Sequence, residues 1–203
     1  MITVTIDGKE IELAEKTSIL KAARMLGIRI PTLCHNDQLS AAGSCRVCLV
    51  EVAAKATPER TRLLPSCCVP VEEGMLVVTD SPRVQESRRF VLELMLARCP
   101  DSEELKEIAR GLGVPVDRPE SLDIVGGYLL SLPRNDVQTK CIRCGLCVRA
   151  CAEVPKRHAI SFSGRGLKRR VVSPFGTVAE TCIGCGSCAY VCPTKTISIE
   201  QAT

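Results

Sequence analysis

Two runs of cysteine constrain this chain more than any other feature. The first reads Cys141-Ile-Arg-Cys144-Gly-Leu-Cys147-Val-Arg-Ala-Cys151 and the second Cys182-Ile-Gly-Cys185-Gly-Ser-Cys188-Ala-Tyr-Val-Cys192-Pro193. Both have the form C-x2-C-x2-C-x3-C, in which three thiolates on one tight loop reach three corners of a [4Fe-4S] cubane. Two runs imply two cubanes. Paired C-x2-C also builds tetrahedral zinc sites, but here a third cysteine follows at x2 and a fourth at x3, twice over. That spacing favours iron and sulfide over zinc.

The fourth cysteine of such a run points out of its own loop, and in two-cluster ferredoxins it ligates the other cluster. Cys141, Cys144, Cys147 and Cys192 are therefore assigned to one cubane, and Cys182, Cys185, Cys188 and Cys151 to the second. Gly145, Gly184 and Gly186 let backbone N–H groups approach the sulfides.

The rest of the composition sets limits. The 203 residues include 14 Cys but no Trp, three Phe and two Tyr, enough for one or two domains with a real core. Cysteines at metal spacings, behind an N-terminus without a basic and then apolar leader, argue against a secreted disulfide scaffold. Reduced thiols and a cytoplasmic location are expected. No stretch is apolar for long enough to span a bilayer, so direct membrane insertion is not expected.

The net charge of +4 is uneven, because Arg134 to Arg170 holds ten Lys or Arg against Asp136 and Glu153. Nucleic acid is not the expected partner, since no aromatics punctuate this basic stretch and no recognition helix is visible. It suits anionic clusters or an acidic protein, or it is a solvated loop.

From the N-terminus, Ile2–Ile6 and Glu10–Leu13 alternate around Asp7-Gly8, a hairpin. A helix capped by Thr17 or Ser18 runs to Leu26 and stops at Gly27. Hairpin then helix opens a β-grasp fold. A second constellation follows, Cys34-x10-Cys45-x2-Cys48-x18-Cys67. Plant-type [2Fe-2S] ferredoxins use C-x4-C-x2-C and a distant fourth cysteine, and the logic here is the same with a longer first gap. Cys67 and Cys68 compete for the fourth position, since a one-residue shift reverses the face of a strand. His35 either donates to a cluster sulfur or is an exposed side chain without that task.

Arg46–Val52 is expected as a strand and Met75–Thr79 as the strand that closes the sheet. Helices are expected from Ser81 to about Ala97 and, capped by Asp101 or Ser102, from Glu103 to Arg110. Residues from about Val114 to Lys140 read as a connector. Ala159–Phe162 and Arg170–Ser173 read as a strand pair inserted between the two runs.

These residues resemble a known family. Ile30-Pro-Thr-Leu-Cys34, Gly43-Ser-Cys45-Arg-Val-Cys48-Leu-Val-Glu51 and Ser66-Cys67-Cys-Val-Pro70-Val-Glu-Glu-Gly74-Met75 are similar to the N-terminal part of the large iron–sulfur subunit of complex I. The same part occurs at the electron-input end of [FeFe] hydrogenases and in the small diaphorase iron–sulfur subunit of soluble NAD(P)-linked nickel–iron hydrogenases, which the chain resembles most. The segment Cys141 to Val154 with Ile160 to Gly166 resembles their two-cubane module. The resemblance implies that Cys67 is the fourth [2Fe-2S] ligand.

It also exposes a departure. The family usually has a His-x3-Cys-x2-Cys-x5-Cys cluster after the long helix, where this chain reads Leu96-Ala-Arg-Cys99-Pro100 with no histidine. Cys99 is then a spare thiol.

The expected class is α+β: a β-grasp [2Fe-2S] domain at 1–80, a helical connector without a cluster at 81–135, and a two-[4Fe-4S] ferredoxin domain at 136–203. The implied function is relay of single electrons between an FMN- and NAD(P)H-binding flavoprotein and a catalytic subunit, a hydrogenase or formate dehydrogenase. The complex is expected to be a soluble hetero-oligomer, with electron bifurcation within its reach. Arg46, Arg143 and Arg149 are candidates to set cluster potentials. No residue reads as a catalytic acid, base or nucleophile. A free-standing polyferredoxin is the alternative, weighed down by residues 81–135, which bind no metal and suit a docking surface.

Overall fold

The computed structural model describes residues 1–14, 16–116, 140–176 and 180–199. Most of the expected connector from Val114 to Lys140 lies outside them. The chain divides into two units, residues 1–33 with 41–92, and residues 34–40 with 93–203.

The first unit is built on a five-stranded mixed sheet. β1 (Ile2–Ile6) and β2 (Lys9–Leu13) pair antiparallel with Ile2 opposite Leu13 and Ile6 opposite Lys9. Asp7 and Gly8 both have positive φ, 47° and 77°, as a two-residue turn between twisted strands requires. α1 (Ile19–Met25) is capped by Ser18, whose hydroxyl accepts from the Lys21 amide at 3.3 Å. Thr17 is not the cap; its hydroxyl donates to the Ala14 carbonyl.

β3 (Leu49–Ala54), β4 (Thr57–Pro65) and β5 (Met75–Val78) complete the sheet in the order β2-β1-β5-β3-β4, with β1 and β5 parallel. Two expectations are corrected here. The strand begins at Leu49 rather than Arg46, because Arg46 has φ of 61°, incompatible with extended backbone. β5 does not close the sheet but lies inside it, flanked by β1 and β3. The edges are β2 and β4, and the Thr-Pro-Glu-Arg-Thr-Arg start of β4 carries no apolar alternation.

Val4, Ile6, Ile19, Leu20, Val50, Val52, Met75 and Val77 form the core under this sheet. Burying each such side chain is worth about 2 kcal/mol. Cys48 and Cys67 belong to the same cluster.

α2 (Pro82–Arg98) begins as the Ser81-Pro82 signal suggests, with the Ser81 hydroxyl accepting from the Val84 amide. α3 (Glu103–Gly111) is capped by Ser102, not Asp101. In the second unit, α4 (Leu146–Glu153) and α5 (Ser187–Tyr190) follow the second cysteine of each run, and β6 (Ser161–Ser163) pairs with β7 (Arg170–Val172). The strand pair is the expected insertion, shorter at its outer ends. The α+β class holds.

Candidate metal centres

The two cysteine runs share one local design. Between the second and third cysteines of each run sits a left-handed glycine, Gly145 (φ 78°) or Gly186 (φ 73°), from which α4 or α5 starts. A Cβ on Gly145 would stand 3.1 Å from Phe162, and one on Gly186 would stand 2.7 Å from Ile199. At either position a side chain would press on its neighbour and hold a left-handed backbone that glycine adopts without strain.

Those thiols line two cavities in the second unit. One, of about 310 Å³, is walled by Cys141, Cys144, Cys147, Cys188 and Cys192. The other, of about 350 Å³, is walled by Cys151, Cys182, Cys185 and Cys188. Cys192, the last cysteine of the second run, thus stands with the first run, and Cys151 stands with the second. The thiols ring these spaces rather than meeting at a point: among the described residues no three His, Cys, Asp or Glu are placed to hold a single ion.

The electrostatics of the two cavities differ. Burial pushes the Cys147 thiol up to about 12, with Cys144 and Cys141 adding to the effect. Burial likewise takes Cys144 to about 11, a shift to which the Cys192, Cys141 and Cys34 thiols contribute. An isolated thiolate is costly there, and cationic iron offsets that cost. Cys192 goes the other way. Burial alone would raise it, but the amides of Thr194, Thr196 and Ile197 and the Thr194 hydroxyl together bring it below its ordinary value. The Thr196 amide is 3.3 Å from its sulfur, and the Ala159 amide is 3.3 Å from that of Cys151. Amides aimed at sulfur are the donor shell a cluster-bound thiolate needs, so the residues present fit the cubanes. Around the second cavity Cys182 and Cys185 are exposed.

In the first unit Cys45, Cys48 and Cys67 are buried, at 5%, 1% and 3% exposure, whereas Cys68 is exposed. The Ser66 amide and hydroxyl both donate to the Cys48 carbonyl, at 3.1 and 2.8 Å, which fixes the approach to Cys67. The Cys68 thiol instead donates to the Pro65 carbonyl at 3.7 Å. Cys34 is buried as well and belongs to the segment 34–40 of the second unit.

His35 is not an exposed side chain. It is 12% exposed, and its Nε2 shares a 2.9 Å hydrogen bond with the Asp37 carboxylate. Cys99 is 1% exposed and donates to the Cys141 carbonyl at 3.2 Å. No disulfide joins any of the 14 cysteines. Sequence reading passed over Arg88, which is 6% exposed and bonded to backbone carbonyls. A carbonyl partner has no side-chain signature to read.

Comparison with known proteins agrees with this chemistry. Residues 1–82 match the 2Fe-2S iron-sulfur cluster binding domain, and residues 140–196 match the 4Fe-4S dicluster domain. The chain thus carries one [2Fe-2S] and two [4Fe-4S] clusters. It is 38% identical to the NADP-reducing hydrogenase subunit HndD of Solidesulfovibrio fructosivorans, over 96% of this chain and 35% of that one. It is 34% identical to an NADH-quinone oxidoreductase subunit of Rhizobium meliloti, over 95% of this chain and 23% of that one. The chain therefore spans only 23% to 35% of the length of these relatives.

A crystal structure of an NAD+-reducing [NiFe]-hydrogenase in the H2-reduced state has a similar chain, with a TM-score of 0.73 and 26% identity over 96% of this chain and 85% of that one. Among the described residues no helix is long and apolar enough to cross a membrane. With both domains matched, the chain belongs to the iron–sulfur proteins that join a 2Fe-2S cluster binding domain to a 4Fe-4S dicluster domain, and over nearly its whole length it is similar to parts of these hydrogenase and NADH-quinone oxidoreductase subunits.

Proposed function

We propose that the chain relays single electrons inside an NAD(P)-linked oxidoreductase complex, between an FMN- and NAD(P)H-binding flavoprotein and a catalytic subunit of the hydrogenase or formate dehydrogenase type. The observation that carries this reading is the pair of thiol-walled cavities with Cys188 in both walls. Bound clusters supply reversible one-electron chemistry there.

The ligand sets that suit these cavities are Cys141, Cys144, Cys147 and Cys192 for one cubane, and Cys182, Cys185, Cys188 and Cys151 for the other. Cys34, Cys45, Cys48 and Cys67 hold the [2Fe-2S] cluster; the burial of Cys67 beside an exposed Cys68 supports that choice. The chain's own residues hold the thiols in place and present amides to Cys151 and Cys192. Three functional segments follow, at 1–80, 81–135 and 136–203. The relatives named as NADP-reducing hydrogenase and NADH-quinone oxidoreductase subunits support a hetero-oligomer, and reduced cysteines suit the cytoplasm.

The exposed Cys182 and Cys185 also suit a free-standing polyferredoxin, which needs a cluster edge open to transient clients. Anaerobic native purification from the source cell separates the two readings. Co-elution with a flavoprotein and a metal-containing catalytic subunit in fixed ratio is expected. Elution of the chain alone with full clusters would leave the carrier.

A further inference from the structure

α4 carries two sets of side chains at different helical angles. Cys147 and Cys151, four residues apart, stand in the walls of the two cavities. Leu146, Arg149, Ala150 and Glu153, spaced i, i+3, i+4 and i+7, form a neighbouring face. That face grips residues 34–40. The Arg149 guanidinium donates through Nη2 to the Cys34 carbonyl at 2.8 Å and through Nη1 to the Ser40 carbonyl. Glu153 accepts from the Ser40 amide at 2.8 Å and from its hydroxyl at 2.5 Å. Leu39 packs in one apolar cluster with Leu146 and Ala150. One guanidinium therefore spans the segment from Cys34 to Ser40, and the helix that supplies a thiol to each cavity also holds the backbone of the first cysteine of the other constellation.

We propose that Arg149 is a positioning residue for the [2Fe-2S] cluster: it fixes the backbone at Cys34 and Ser40 and keeps a permanent positive charge beside Cys34 that raises the reduction potential, with Glu153 offsetting part of that charge. This rests on the reading of Cys34 as a [2Fe-2S] ligand. Arginine suits the task because its planar fork reaches two carbonyls at once and its charge survives any working pH. A cation nearby favours the more negative, reduced cluster, and hydrogen bonds outside the ligand shell orient the ligands. Lysine keeps the charge but offers one point donor in place of a fork.

The test is an EPR-monitored redox titration of the anaerobically purified full chain, with the [2Fe-2S] signal separated from the cubane signals by temperature. Arg149→Met is expected to lower the [2Fe-2S] midpoint, Arg149→Lys to fall between it and the parent, and Glu153→Gln to raise it. Opposite signs for Met and Gln are the signature of charge, because a merely structural clamp would be loosened by either change and would move both the same way. Unchanged midpoints, or shifts of one sign, overturn the proposal. If Arg149→Met does not fold, Arg149→Lys and Glu153→Gln are read alone: a lowered and a raised midpoint support it, and parental values overturn it. A parent chain with no [2Fe-2S] signal would instead defeat the underlying reading.

Discussion

The guanidinium of Arg88 holds the Leu49 carbonyl with two donors, Nε at 3.2 Å and Nη2 at 2.7 Å, in the residue after the buried Cys48. Nη2 also donates to the Thr79 carbonyl at 2.9 Å, so one α2 side chain ties the start of β3 to the end of β5. Burial pulls the guanidinium below its ordinary value, and Asp80, Cys48 and Asp7 act against that shift. Arg88→Met keeps the volume and strands two carbonyls. It is expected to cost about 2–3 kcal/mol, read as a lower denaturation midpoint at unchanged slope.

Cys67 and Cys68 differ in burial, and their variants should differ in iron. Cys68→Ala is expected to keep about ten iron atoms per chain, whereas Cys67→Ala should lose the [2Fe-2S] cluster and fall to about eight. Iron analysis with the [2Fe-2S] EPR signal decides this, and the reverse order would move the fourth ligand to Cys68.

Cys99 should be inert. Burial pushes its thiol up to about 12, with Cys141 adding to the shift. Alkylation of the native chain is expected to leave Cys99 unlabelled at pH 9 while Cys68 reacts, as mass spectrometry of digests would show. The folded pKa lies above the unfolded value of 9.0, so this thiol's contribution to stability is full below pH 9 and is lost as the pH rises toward about 12. Cys99→Ala should keep the parent's iron content.

Glu51 on β3 is held below the usual carboxylate range by the hydroxyls of Thr61 and Ser81 and by Arg83, with burial opposing. Ser81 donates to it at 2.7 Å and Arg83 at 3.1 Å. A depressed folded pKa gives stability that is present above the unfolded value and is lost as pH falls through the folded one. Glu51→Gln should therefore be less stable than the parent at neutral pH. That gap should narrow as the pH falls below 4.5, read by denaturant titration at each pH.

Much of this was legible in the sequence because the relevant physics is local. Three of the four cysteines assigned to each cubane lie within one short loop, so spacing alone speaks for them, and Asp7-Gly8 and Ser81-Pro82 act on adjacent backbone. Strand order is not local. β5 lies inside the sheet by pairing with β1 and β3, and nothing in Met75–Val78 announces either partner. β4 escaped notice because an edge strand with a polar start shows no alternation. α4 and α5 start from left-handed glycines, without the Ser, Thr or Asp cap that marks most helix starts. Arg88 and Arg149 act on carbonyls between nine and 115 residues away, and every residue in the chain has a carbonyl.

Counting metal and electrons on one anaerobic preparation tests the relay most directly. Iron, acid-labile sulfide and zinc would be measured together, followed by a reductive titration monitored by EPR. About ten iron atoms and about three electrons taken up reversibly per chain are predicted, one electron for each cluster. Stoichiometric zinc with little iron, or iron that accepts no electrons reversibly, would contradict the account.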